Sequence, residues 1–318
     1  MDADERRYLE DLTTIHQRRL QIQERKHAQL GISTPPEIEI EIEDIRAAIK
    51  KIGERLHQAR AVNVDLLCYV AIAPRDSATI QIDWTKHFLN GVAPDEIWAQ
   101  RLLPELDSVY RQVGRTSPEP AVALRQRAPI SVGLAFGAIF SSASGIRIWV
   151  EQRTDDRDVQ WWAAQEDAPT ITGRLLNPQH TLLNPQAQDT LIEVGVTHAI
   201  AQSVDQWRQA QAHTFAEHIR FVPNLEPGRT AVPDAAHALA MARQIGAACV
   251  AAHTARPAGT IHMVVAAPFG LALMIGQKLN ACGMVQCYDF AKSSGSAMYV
   301  PSCRLNAPPS AGGETRER

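Results

Sequence analysis

The 318-residue chain contains no Cys-x-x-Cys pair, no His-Glu-x-x-His and no Gly-x-Ser-x-Gly. A zinc ribbon, a zincin and a serine-hydrolase elbow are therefore not supported. Gly270-Leu-Ala-Leu-Met-Ile-Gly276-Gln-Lys278 resembles a phosphate loop only on the surface. It places five residues between its glycines where the motif needs four, and it lacks Gly-Lys-Ser/Thr, so an ATPase is rejected. No Gly-x-Gly-x-x-Gly follows a strand, which removes a dinucleotide dehydrogenase. The cysteines (Cys68, Cys249, Cys282, Cys287, Cys303) are odd in number and sit in apolar surroundings, so they read as buried free thiols. Eleven histidines are scattered, and His213 and His218 stand five apart, off a common helical face. No metal and no cofactor are expected. The longest apolar run, around Phe269–Ile275, is far below the ~20 residues that span a bilayer. The opening Met-Asp-Ala-Asp-Glu-Arg-Arg carries no apolar leader, so a cytoplasmic protein without membrane contact is expected. A formal charge of −3 argues against a broad footprint for long nucleic acid. A small nucleotide needs only a few placed cations.

Charge is unevenly spread. Residues 1–58 hold 22 charged side chains, whereas the other 260 hold 45, which marks a boundary near residue 60. Ile38, Ile42, Ile45, Ile49, Ile52 and Leu56 recur at 4-3-4-3-4, a heptad seam. A weaker seam, Tyr8, Leu12, Ile15 and Ile22, precedes it. Gly31-Ile-Ser-Thr-Pro-Pro36 stops one helix and starts the next. The segment reads as an antiparallel, coiled-coil-like helical hairpin for partner docking or self-association. At the other end, residues 306–318 have no apolar period and read as a disordered tail.

Between them a pattern occurs twice. Ala121–Pro129 leads into Ile130-Ser-Val-Gly-Leu-Ala-Phe-Gly137 and then Gly145–Arg153. Thr260–Pro268 leads into Phe269-Gly-Leu-Ala-Leu-Met-Ile-Gly276 and then Gly283–Phe290. Each copy reads strand, Ala-Pro, helix with glycine eight residues past the proline, glycine, strand. A further β-rich stretch follows each, at Asp158–Trp162 and Ala297–Pro301, and an earlier apolar strand precedes each, at Val64–Ala73 and Leu191–Thr197. Proline suits a strand end and a first helical turn. The helical glycines are expected to bring each helix close to its sheet. Such units form right-handed crossovers in mainly parallel sheets, whose ligands sit at the strands' carboxyl ends. Helix N-termini there suit phosphate. Two copies predict two half-sites on one groove, a fit for repeated phosphates.

The chain also resembles the SAVED family. The likeness lies in Val64–Ala73, Ile82–Phe88, Glu96–Trp98, Leu103–Leu106, Val132–Gly137, Trp149–Arg153 and Trp161, and above all in Ile261–Pro268, Leu271–Leu279, Val285–Phe290 and Tyr299–Ser302. The resemblance covers residues 62–305. It implies an α/β fold of two fused Rossmann-like (CARF-like) halves, about 60–170 and 171–305, with mainly parallel sheets behind the helical hairpin. It also implies a non-catalytic sensor of a cyclic di-, tri- or tetranucleotide in antiviral defence of the CBASS or type III CRISPR kind. Such domains are usually fused to an effector, and 58 residues are too few for one. The expectation is therefore a separate effector protein docked through residues 1–58, with head-to-tail oligomerisation as output. A ligand-degrading ring nuclease and a structural adaptor without ligand are the alternatives.

Position along the repeat selects the ligand contacts. Strand ends and helix starts supply Pro74, Arg75, Arg127, Pro129, Ser131, Gln152 and Arg153 in the first half. Thr197, His198, Pro268, Phe269 and Gly270 do so in the second. The arginines would fork onto phosphates. Phe269, Trp84 or Trp161 would stack on bases. Asp83 with His87, and the serine clusters at 141–144 and 293–296, read as turns and loops and not as catalytic groups.

Overall fold

The computed structural model describes residues 3–70, 79–88, 91–153, 159–164, 171, 173–228, 230–293 and 296–307. The chain divides into two units, Met1–Ala61 and Val62–Arg318. Residues Pro74 and Arg75, and the tail from 308 onward, lie outside the described residues. No helix among the described residues is long and apolar enough to cross a membrane.

The first unit is an antiparallel hairpin of α1 (Ala3–Leu30) and α2 (Pro36–Arg60). Gly31 turns the chain at φ +54°, a conformation open to glycine at no steric cost. The Thr34 hydroxyl then donates to the Gly31 carbonyl at 2.6 Å, and Pro36 opens α2. Ile42, Ile45 and Ile52 are buried in the seam, with Ile38, Ile49 and Leu56 partly covered. Ion pairs cross the hairpin from Arg19 to Glu41, Arg46 to Glu24 and Arg55 to Glu5, which fixes its register more than its stability.

The α1 seam differs from expectation. Leu9 is buried, and Leu12, Thr13, His16, Leu20, Gln23 and His27 are partly covered on the inner face. Tyr8, Ile15 and Ile22 instead point outward and are more than half exposed. The inner face follows its own heptad one residue away, with polar side chains that an apolar pattern does not register. Within α2, Gly53 has no atom within 4 Å of where a Cβ would stand. Gly53→Ala is expected to stabilise the hairpin by about 0.5–1 kcal/mol, measured as helix melting by circular dichroism. A loss of stability would show that this open space is needed.

The second unit carries two sheets of matching design. The first holds β1 (Val62–Leu67), β2 (Ile80–Asp83), β3 (Ala121–Arg127), β4 (Arg147–Arg153) and β5 (Val159–Ala163) in the order β2-β1-β3-β4-β5. The second holds β6 (Leu176–Leu182), β7 (Thr190–Gly195), β8 (Glu217–Pro223), β9 (Ile261–Ala266), β10 (Val285–Ser293) and β11 (Ser296–Leu305) in the order β11-β10-β9-β7-β8-β6. Setting β6 aside, the two orders superimpose strand for strand. In each, four strands run parallel and the last hairpin turns antiparallel. The helices are α3 (Asp95–Ile97), then across a π turn α4 (Leu103–Gly114), α5 (Ile130–Ile139), α6 (Ala201–Ala210), α7 (Ala235–Ala255) and α8 (Phe269–Gly276). The expected pair of Rossmann-like halves is thus present.

The repeat's glycines do not serve the helix–sheet contact expected of them. They join α5 to α8 across the two halves. A Cβ on Gly133 would meet Ala272 and Phe269 at 3.3 Å, and one on Gly137 would overlap the Leu273 carbonyl. One on Gly276 would overlap the Leu134 carbonyl. The contacts advance along both helices together, so α5 and α8 run side by side in the same direction. Their N-termini therefore emerge at one end of the unit.

Candidate functional site

Pro129 and Pro268 stand before α5 and α8 in extended conformation, and neither has a capping side chain. The first N–H groups of both helices must find partners elsewhere. Each half supplies them to the other. The Ser131 hydroxyl donates to Asp289 Oδ2 of β10 at 2.6 Å, and the Ser131 N–H donates to the same carboxyl. The Gly270 N–H donates to Gln152 Oε1 of β4 at 2.9 Å. Ser131 and Gly270 each stand two residues past the repeat's proline. The arrangement is a crossed pair of caps with quasi-twofold symmetry, one acidic and one neutral.

Electrostatics follow from burial. Asp289 is buried, and loss of water pushes its carboxyl up to about 6 although Ser131 pulls the other way. The Cys68 thiol and Tyr69 hydroxyl, just past the end of β1, are raised by burial and then by the Asp289 charge. Asp289 of β10 thus lies near the end of β1. Arg127 Nη1 donates to Glu151 Oε1 at 3.1 Å and to the Gln126 carbonyl at 2.5 Å. Tyr69, Val70, Phe290 and Met298 leave apolar surface exposed around these carboxyl ends. The end therefore combines two helix N-termini, an arginine, a half-exposed tyrosine and a half-exposed phenylalanine. These are parts that bind an anion carrying flat rings.

A model of the SMODS-associated and fused to various effectors sensor domain, SAVED, matches residues 105–305, more than half of the chain. The chain belongs to the SAVED family. Among solved structures, the SAVED fold is shared with the Cap4 SAVED/CARF-domain containing receptor of Acinetobacter baumannii solved with the cyclic trinucleotide 2'3'3'-cAAA. The TM-score is 0.65 at 13% identity, covering 84% of this chain and 56% of that one. The same receptor with 3'3'3'-cAAA gives a TM-score of 0.61 at 14% identity, with coverage of 84% and 56%. The Moraxella osloensis Cap4 receptor gives 0.55 at 15%, covering 85% of this chain and 57% of that one. The chain thus spans little more than half the length of these receptors. No curated protein matches it in sequence.

Within the SAVED unit the anticipated contacts separate into groups. Arg127, Pro129, Ser131, Gln152, Pro268 and Gly270 gather at the crossed caps, though the Ser131 and Gly270 N–H groups already have partners inside the protein. Arg153 is exposed at the end of β4. Thr197 and His198 lie past β7 at the same carboxyl edge. The Thr197 N–H donates to the Ala266 carbonyl at 2.9 Å, and the Thr197 hydroxyl meets His198 Nδ1 at 3.0 Å.

Two anticipated stacking rings are corrected. Trp84 is fully buried between Phe88 and Trp98, and its Nε1 donates to Glu105 at 2.8 Å. Phe269 is buried against Gly133 in the helix seam. Trp161 is half-buried opposite Glu151 on β5, while its neighbour Trp162 turns inward to cover Gly270. Sequence reasoning missed Tyr69, Glu151, Asp289 and Phe290. Strand alternation beyond the repeat's own endpoints carries the only signal for them.

Proposed function

We propose that this protein is a sensor that binds a cyclic oligonucleotide across the shared end of its two halves and does no chemistry on it. The observation that carries this reading is the parallel pair of helix N-termini joined by crossed caps. A ring of phosphodiesters presents repeated anions to the end at which both helices start. Arg127 and Arg153 supply charge, and Tyr69 and Phe290 supply faces for bases. The cyclic trinucleotides of the Cap4 receptors support a ring of three nucleotides as the first ligand to try. The inequality of Asp289 and Gln152 favours a ring whose bases or linkages are themselves unequal. The hairpin carries the output. Its outward Tyr8, Ile15 and Ile22 support a surface for a separate effector, with ligand-driven stacking of copies as the trigger.

Thermal-shift screening against cyclic di-, tri- and tetranucleotides tests this directly. A ligand at ~100 times its Kd is expected to add about 2.7 kcal/mol to stability. For a unit of this size that is a rise of roughly 5–11 °C. The bound ligand is expected to be recovered intact by chromatography, and sedimentation is expected to show larger species in its presence. A flat response across the panel would remove the reading.

A further inference from the structure

A cluster at the opposite end of the second sheet has no part in the ligand reading. Asp189 immediately precedes β7, His262 is the second residue of β9, and His213 lies between α6 and β8. Leu191 of β7 pairs with His262, so these are the amino ends of adjacent strands. One ligand atom from each side chain lies within 4.8 Å of the other two. His213 Nε2 is 2.7 Å from Asp189 Oδ2, and His262 Nε2 is 3.4 Å from the same oxygen.

We infer that Asp189, His213 and His262 bind one divalent transition-metal ion, with a coordination position left open. The decisive observation is His262. The residue is only 9% exposed, and its Nε2 makes no hydrogen bond while facing the other two groups. A buried imidazole nitrogen ordinarily finds a partner. The His213–Asp189 pair is short, while His262 Nε2 stands 3.4 Å from the same carboxylate oxygen without hydrogen-bonding geometry. A metal ion answers all three.

The surroundings suit that task. His262 Nδ1 lies 2.7 Å from the Tyr288 hydroxyl, so an Nδ1–H donated to that oxygen leaves the Nε2 lone pair free for metal. Asp189 Oδ1 accepts the Thr260 N–H at 2.6 Å, which aims Oδ2 inward. Phe215 packs edge-on against both imidazoles, at 4.9 Å from His213 and 5.2 Å from His262. Two imidazoles and a carboxylate suit zinc, cobalt or nickel, while magnesium and calcium prefer oxygen ligands alone. Three protein ligands leave a fourth tetrahedral position to water. Half-exposed His213 is the side from which an ion enters, and its ring must move there for the cluster to take up the spacing of a zinc shell. The sequence reading expects no metal because these residues are spread over more than seventy positions in no metal-binding spacing.

The test is calorimetric titration of the chelator-stripped full chain with Zn2+, with Co2+ absorption as a second readout. One equivalent of Zn2+ is expected to bind, to raise the melting temperature and, as Co2+, to give the intense visible bands of a four-coordinate site. Asp189→Asn and His213→Ala are each expected to weaken binding by roughly tenfold or more. His213 is accessible, so its loss leaves the fold intact, as the circular dichroism spectrum would show. His237→Ala, at a partly exposed histidine of α7 outside the cluster, is expected to leave Zn2+ binding unchanged. Absence of stoichiometric uptake, or uptake that His213→Ala leaves untouched, would overturn the proposal.

Discussion

Gly137→Ala is expected to lower the melting temperature of the Val62–Arg318 unit by roughly 6–12 °C, the equivalent of about 3 kcal/mol. The cause is steric. The added methyl would overlap the Leu273 carbonyl and come within 2.9 Å of the Gln277 nitrogen. Both are backbone atoms, in α8 and just past its end, so no rotamer change relieves the clash and the helices must separate. Gly276→Ala presses on the Leu134 carbonyl from the other side and should cost a similar amount. Gly133→Ala meets its neighbours at 3.3 Å and should cost nearer ~1 kcal/mol. The order of these three is the informative part. Should Gly137→Ala melt within about 2 °C of the parent while Gly133→Ala melts far below it, the helix seam described here would be wrong. A Gly137→Ala protein that still folds should also lose ligand affinity, because the seam sets the spacing of the two helix N-termini.

The same glycines show how far the sequence reaches. Strand, Ala-Pro, helix, glycine and strand occur twice because each signal is local. Proline ends a strand, and the following apolar run has nowhere to go but against a sheet. Both sheets and their matching strand orders follow from that. The partner of each glycine was not legible, since α5 meets α8 across about 140 residues and nothing in either segment names the other. Trp84 and Phe269 failed as stacking rings for a related reason. A residue at a strand end or helix start has a known position, but its side chain turns to whichever apolar neighbour is nearest. The α1 seam was misread because His16, Gln23 and His27 occupy inward positions that an apolar count passes over. Asp289 was invisible for the opposite reason. It stands in a mostly apolar strand, and only the third dimension shows that it caps a helix of the other half.

Asp289 gives the second large effect, a dependence of stability on pH. Its carboxyl moves from an ordinary 3.8 to about 6 on folding because burial penalises the charge. Below about pH 4 the folded and unfolded chains both hold the proton, and the group contributes its full stability. As the pH climbs from there to about 6, the unfolded chain releases the proton first, so stability falls by about 3 kcal/mol in total and then levels off. Asp289→Asn cannot ionise, yet its amide oxygen still accepts from Ser131. The variant is therefore expected to gain on the parent with rising pH, reaching a difference of about 3 kcal/mol by about pH 7 beyond whatever separates them at about pH 4. Melting curves of both proteins across that range decide it, and parallel curves would sink it. The same charge sits where phosphates are proposed to dock, so the parent should bind a cyclic oligonucleotide more tightly at about pH 5 than at about pH 7.5, while Asp289→Asn binds alike at both. A ligand that binds the parent more tightly at the higher pH would place the phosphates away from Asp289, and with them the proposed use of the crossed caps.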